Sequence, residues 1–381
     1  MKRMYWRPRR VSRVTLALVA TASVAGYLAV ERFPMKVREP NHEEKLAAAR
    51  KAEEAFKIIR DERVKRGLVI DTEADPAQSG LVGSLMTPIT TNPGSLDSKQ
   101  TSANPNFAAL VVHYLKQAGL EKGDVVAVGY SGSFPAINIA VLSAVEVLEL
   151  KPVIIASVAS SQWGANDPEF TWLDMEQLLV DRGVLTHHAS AASLGGIEDR
   201  ALGMPKKGRR ILEDSIQAHG LTYIQPKDFT DSVDQRIHLY RDLAGSLPIK
   251  AYINVGGGTV SVGKKKGKKL FRPGLNRRPP AGGTSPDSIM ERFVEDGIPV
   301  VHLVYIRKLA ERFGFPVQPP QTPRVGEGRI FYRTETNPWL VAGLLLGIIG
   351  ALYLFVRSDL GFRMTRGASK GSDRSQPEPM V

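Results

Sequence analysis

The sequence predicts an α/β protein, a mostly parallel, Rossmann-like three-layer sheet domain flanked by two transmembrane helices. Two uncharged apolar runs, 14–30 and 338–356, stand near the ends of the 381-residue chain. Between them, short β-branched runs alternate with capped helical segments, the pattern of parallel strands joined by crossover helices. The strand runs are nearly all apolar, as strands covered on both faces should be.

The first apolar run, VTLALVATASVAGYLAV, is at the lower length limit for a helix that spans a hydrocarbon core. Lys2, Arg3, Arg7, Arg9, Arg10 and Arg13 precede it. No small-x-small cleavage site stands before Glu31, so an uncleaved anchor is expected in place of a signal peptide. Arg9-Arg10 touches on a twin-arginine signal, but positive-inside charge is the simpler reading. The second run opens on Trp339, carries Tyr353 near its far end and is followed by Arg357, Arg363, Arg366, Lys370 and Arg374. The positive-inside rule then places both ends, 1–13 and 357–381, in the cytoplasm. The domain 31–337 is expected outside, on a two-pass protein of the cell (inner) membrane. The Gly/Ser/Pro-rich tail is expected to be disordered.

The net charge of +12 invites a nucleic-acid reading until it is divided along the chain. Residues 1–30 carry +6, and the stretch 264–278 alone holds eight basic residues. The rest of the domain is net acidic, so basicity reports topology and one loop, and nucleic acid is not expected as a partner. With no cysteine, disulfides, zinc thiolates and thiol nucleophiles are excluded.

Asn41, with Glu44 in the capping-box position, opens a helix that runs to about Lys65, either an amphipathic stalk (about 41–66) or a first packed helix. Strands are expected at 125–128, 153–158, 251–255 and 300–303. Asn104-Pro105 opens a helix ending at Gly119, Ser133 one reaching Leu150, Thr171 one ending at Gly183, and Ser285-Pro286 one ending near Gly297.

Three strands lead into loops of similar composition, and in an open parallel sheet such loops share the crevice beyond the carboxyl ends of the strands. Gly129-Tyr130-Ser131-Gly132-Ser133 resembles a Gly-x-Ser-x-Gly nucleophile elbow except at Ser133. It also reads as an anion-binding turn or a plain serine cap. Ser160 and Ser161 follow the next strand, and Gly256-Gly257-Gly258-Thr259 the third. The last lacks Gly-x-Gly-x-x-Gly spacing, so no dinucleotide is expected, and no other cofactor is implied. His187 and His188 lie in a polar loop with acids and glycines, where one could serve as a base toward Ser131. No second histidine at i+3 or i+4 completes a metal motif, so no metal is expected. Lys264, Lys265, Lys266, Lys268 and Lys269 form an exposed basic loop expected to lie beside the crevice and to attract a polyanion.

The runs Asn92-Pro93-Gly94-Ser95-Leu96-Asp97-Ser98-Lys99, Val128-Gly129-Tyr130-Ser131-Gly132-Ser133-Phe134-Pro135 and Ile253-Asn254-Val255-Gly256-Gly257-Gly258 resemble the poly-γ-glutamate system protein family. The likeness extends over nearly the whole chain, the terminal hydrophobic helices included. It implies a bacterial membrane protein associated with machinery that makes or exports poly-γ-glutamate, a dense polyanion, and it brings no catalytic residue with it. Partners expected on this basis are the membrane, the polymer and its synthase or export complex. Three roles follow as expectations: a non-catalytic accessory, a serine-dependent γ-glutamyl hydrolase or transferase using Ser131 with His187 or His188, and a receptor-like carboxylate-binding domain.

Overall fold

The structure is a computed structural model that describes residues 13–263, 270–279 and 287–358, with side chains from Leu16 to Leu354. The chain divides into two compact units. Arg38–Tyr332 is one, and the two ends of the chain, Met1–Val37 and Arg333–Val381, make the other.

In chain order, α1 (Arg13–Arg32) and β1 (Met35–Arg38) lead to α2 (His42–Lys65), α3 (Leu96–Ser102), α4 (Phe107–Ala118), β2 (Val125–Ser131), α5 (Pro135–Val147) and β3 (Lys151–Ser157). There follow β4 (Asn166–Asp167), β5 (Phe170–Thr171), α6 (Trp172–Asp181), β6 (Ala191–Ser193), α7 (Lys206–Ala218), β7 (Thr222–Tyr223) and α8 (Phe229–Ala244). The last elements are β8 (Ile249–Val255), α9 (Thr259–Val262), β9 (Gly274–Asn276), α10 (Ile289–Glu295), β10 (Val300–Leu303), α11 (Ile306–Phe313), β11 (Tyr332–Glu335) and α12 (Pro338–Ser358).

The larger unit is an α/β fold on a seven-stranded sheet of order β7-β6-β3-β2-β8-β10-β9. All neighbours are parallel except β9, which runs antiparallel to β10. The chain winds outward from β2 through β3, β6 and β7, then returns to lay β8 on the other side of β2. Strand order therefore reverses between β2 and β8, which opens a crevice beyond their carboxyl ends.

Side chains alternate across the sheet. Val126, Val128, Ile154, Ala156 and Ile253 face α2, α4 and α5, while Val125, Ala127, Val153, Ile155 and Tyr252 face α8 and α10. Each fully buried Val or Ile contributes about 1.5–3 kcal/mol, so both faces are needed to hold the layers. The strands predicted from apolar runs are all present, three of them extended by two or three residues at one end, and β3 stops one residue short of Val158.

The helix after Asn41 is part of this core and not a stalk: Ala48, Ala52, Ala55, Phe56 and Ile59 are buried, and α2 packs on α4 and α5. Its capping box does not form. Asn41 sits at φ 58°, in the left-handed region that Asn tolerates, and its side chain caps nothing. Thr171 and Asp174, in contrast, make a complete capping box on α6. The start expected at Ser285-Pro286 lies outside the described residues. The described helix α10 is capped by Ser288, whose Oγ accepts from Glu291 N at 3.3 Å.

In the smaller unit, α1 and α12, of 20 and 21 residues, pack together. A Cβ on Gly26 would stand 3.5 Å from the Leu344 side chain, so α12 packs on α1 at this position. Among the described residues no helix is long and apolar enough to cross a membrane: described side chains of α1 begin at Leu16 and those of α12 end at Leu354.

Candidate functional site

Beyond the carboxyl ends of β2, β3 and β8 lies a cavity of about 570 Å³. Gly129, Tyr130, Ser131, Ser133, Ser161, Gly257, Gly258 and Thr259 line it, so the three sequence-predicted loops meet there. Gly132, Ser160 and Gly256 support the wall from behind. Ser160 Oγ donates to the Gly132 carbonyl at 3.0 Å, Ser161 N donates to Ser133 Oγ at 3.1 Å, and Asn254 Nδ2 donates to the Gly256 carbonyl at 2.7 Å. Gly129 has to be glycine because an added Cβ would lie 2.3 Å from Tyr252 Oη.

A lysine enters this wall from α3. Ser95 caps the helix, accepting from Ser98 N at 3.3 Å. The preceding Gly94 lets the turn press on the next loop, since a Cβ there would stand 2.3 Å from the Gln162 carbonyl oxygen. One turn into the helix, Lys99 is 2% exposed. Its Nζ donates to the Ser133 carbonyl, stands 3.0 Å from Ser161 Oγ and lies 3.8 Å from the Phe134 ring centroid. Burial pulls the amine down to about 7, and no charged group offsets it.

Opposite stands a buried ion pair. Arg236 on α8 meets Asp199 at 2.9 Å and also donates to Ser157 Oγ at 3.0 Å and Ser193 Oγ at 2.6 Å. Asp199 also accepts from Ser232 Oγ at 2.7 Å. The loop bearing Asp199 is strained, with positive φ at Gly195, Gly196, Glu198, Asp199 and Ala201. Beneath the cavity, Tyr130 donates to Glu176, which also accepts from Ala189 N at 3.0 Å. Burial raises the Glu176 carboxyl to about 7, although both hydrogen bonds oppose the shift.

The serine–histidine set expected from sequence is not assembled. His187 and His188 lie in the loop that enters β6, toward the edge where strands begin, and neither lines the cavity that holds Ser131. His187 N donates to Glu146 at 3.2 Å, and His188 Nδ1 lies 2.8 Å from the Ala189 carbonyl. Nor is Ser131 on a nucleophile elbow. It is the last residue of β2, paired with Ser157, and does not adopt the left-handed backbone of a strained turn. Its Oγ accepts from Ser133 N at 3.3 Å, which closes the turn, while α5 begins at Pro135 with no side-chain cap. Among the described residues no three His, Asp or Glu side chains are placed to hold a metal ion.

The basic stretch is described only in its second part, from Leu270. Lys264, Lys265, Lys266, Lys268 and Lys269 lie outside the described residues. The rest of it leads away from the crevice: β9 is antiparallel to β10 and pairs Asn276 with Val300, so Arg277 and Arg278 reach the edge where β10 begins. There a groove of about 960 Å³ is lined by His113, Tyr114, Gln117, Arg272, Arg277, Arg278, Arg312 and Phe313, with no carboxylate in its wall among the described residues. Arg277 is fixed by donating to the Gln117 carbonyl. His113 is held neutral, pushed down to about 4 by burial first and then by Lys45 and Arg312. Arg277 and Lys250 also line an adjoining hollow of about 450 Å³.

Sequence reasoning did not single out Lys99, Asp199, Arg236, His113 or Arg312 as site residues. For Lys99 the only available signal was its place one turn past a Ser95 cap in the Asn92–Lys99 run. No protein-family model, no curated protein and no solved structure matches this chain.

Proposed function

We propose that this chain is a membrane-anchored accessory protein of poly-γ-glutamate synthesis or export, holding the polyanion and thereby its synthase complex through the larger unit. The observation that carries the reading is the groove with four arginines and, among the described residues, no carboxylate. Guanidinium groups match carboxylates in a fixed fork geometry, and several in one wall suit a chain that repeats the same anion. The lysine-rich run 264–269 directly precedes the groove segment in sequence and adds charge of the same sign. Which polyanion binds is supported only by the likeness of the three sequence runs.

Anchoring is supported by the apolar surface of α1 and α12: Leu16, Leu28, Leu345, Leu346 and Leu354 are exposed, and Trp339 is 81% exposed. Together with the uncharged runs 14–30 and 338–356, this favours two transmembrane helices. The basic flanks favour cytoplasmic ends and an extracytoplasmic larger unit.

The test is binding of poly-γ-glutamate to the detergent-solubilised full chain over a range of salt. Affinity should fall as salt rises, and the Arg277→Gln/Arg278→Gln/Arg312→Gln variant should bind at least about tenfold more weakly with a shallower salt slope. Equal affinity and slope for the two proteins would refute the reading.

A further inference from the structure

We propose that Ser161 and Lys99 form a nucleophile–base pair that carries out acyl transfer on an amide or ester carbonyl bound in the crevice. The proposal goes beyond the polyanion reading and stands without it, since the groove and the crevice are at opposite edges of the sheet.

The geometry is that of a base already placed on its nucleophile. Lys99 Nζ and Ser161 Oγ are 3.0 Å apart, and both residues line the 570 Å³ cavity. The amine is 2% exposed, while Ser161 is only part-buried and so remains open to the cavity. A neutral lysine amine has two N–H donors and one lone pair. Here the Ser133 carbonyl takes one N–H, and the lone pair can accept the Ser161 hydroxyl proton. Ser161 itself is fixed by its backbone, whose N–H donates to Ser133 Oγ at 3.1 Å. Lys99 needs to be neutral for this, and burial with no carboxylate among its described neighbours supplies the reason, outweighing the Phe134 ring and the two acceptor oxygens, which favour the ammonium. Desolvation brings the amine to about 7, where a base is most effective at neutral pH.

The step balances as follows. Ser161 Oγ bonds to the carbonyl carbon, its proton passes to Lys99 Nζ, and the carbonyl π electrons move onto oxygen. When they return, the C–N or C–O bond breaks, and the Lys99 ammonium gives its proton to the departing amine or alkoxide. Water then attacks the acyl-serine ester, again giving a proton to Lys99, which passes it to Ser161 Oγ as the acid leaves. An amine in place of water would give transfer instead of hydrolysis. The lining of hydroxyls, glycine backbone and Arg236 suits a polar, extended acyl chain.

The test uses a fluorophosphonate probe on the detergent-solubilised full chain, with adducts located by peptide mass spectrometry. One adduct on Ser161 is expected, formed at a rate that rises through pH about 7 and then levels. Ser161→Ala should remove it. Lys99→Met should slow it at least about 100-fold, and so should Lys99→Arg, which keeps the charge and cannot act as a base. Thermal melts report whether each variant folds. If wild-type protein gives no Ser161 adduct, or labels with no pH dependence between 6 and 9, or if folded Lys99→Met or Lys99→Arg labels at the wild-type rate, the proposal is overturned.

Discussion

Arg236 and Asp199 form an ion pair 2.9 Å long with both side chains almost fully buried, and it fastens α8 to the strained loop over the crevice. Removing one member leaves the other charge buried and uncompensated, at a cost of about 3–5 kcal/mol. Arg236→Met should therefore lower the melting temperature by roughly 10 °C. Arg236→Met/Asp199→Leu should recover part of that loss, because neither charge then remains. Differential scanning calorimetry of the three proteins checks both statements; a double variant no more stable than the single would mean that the loop depends on the serine hydrogen bonds instead.

Four groups shifted by burial should shape the pH profile of stability: His113 and His302, both held down to about 4, make it rise between about 4 and 6.5, while Glu176 and Lys99 bend it in opposite senses on either side of pH 7. Glu176 titrates at about 7 in the fold against an ordinary value of 4.5. Its contribution is fully present below 4.5 and is lost as pH rises through about 7, because the unfolded chain releases the proton first. Lys99 titrates at about 7 against an ordinary 10.5, so its burial penalty is full below 7 and relieved as pH climbs toward 10.5. Each limb spans on the order of 3–5 kcal/mol. Denaturant melts across pH 4.5–10 should show Glu176→Gln steepening the rise of stability between 4.5 and 6.5, by removing a group that opposes the two histidines, and Lys99→Met flattening the rise above 7.

Gly94→Ala should couple stability to reactivity. The new Cβ meets a backbone carbonyl, that of Gln162, and cannot be relieved by a side-chain rotation. A loss of about 1–3 kcal/mol is expected, together with slower fluorophosphonate labelling, because the same turn aims α3 and Lys99. Loss of stability with unchanged labelling would show that the turn does not position the lysine.

Topology is open to a fusion test. Alkaline phosphatase joined after Asn337 should be active and, joined after Lys370, silent, as two transmembrane helices with cytoplasmic ends require. The reverse pattern would place the larger unit in the cytoplasm.

The central fold was legible because it depends on local sequence. The runs 125–128, 251–255 and 300–303 are apolar except for Asn254 and His302, and Thr171 with Asp174 is a cap whose two partners are three residues apart. The short outer strands β6, β7 and β9 carry two or three residues each, too few to show a period, and only pairing with a formed neighbour makes them strands. The crevice followed from one topological rule, whereas its chemistry did not. Lys99 comes to Ser161 across 62 residues and Arg236 to Asp199 across 37, through contacts that no spacing encodes. The histidine expectation failed for the same reason. His187 and His188 are near Ser131 in composition but enter β6 from the opposite edge. The position of the arginines depended on β9 running against its neighbours, and three residues give no sign of direction.

The central claim is that a polyanion occupies the arginine groove. Hydrogen–deuterium exchange of the full chain with and without poly-γ-glutamate locates the bound polymer directly. Slower exchange is predicted in the segments carrying Tyr114 to Gln117, Leu275 to Arg278 and Arg312 to Phe313, with the crevice loops around Gly129, Ser161 and Gly257 unchanged. Slowing confined to those crevice loops, with none at the groove, would contradict the account.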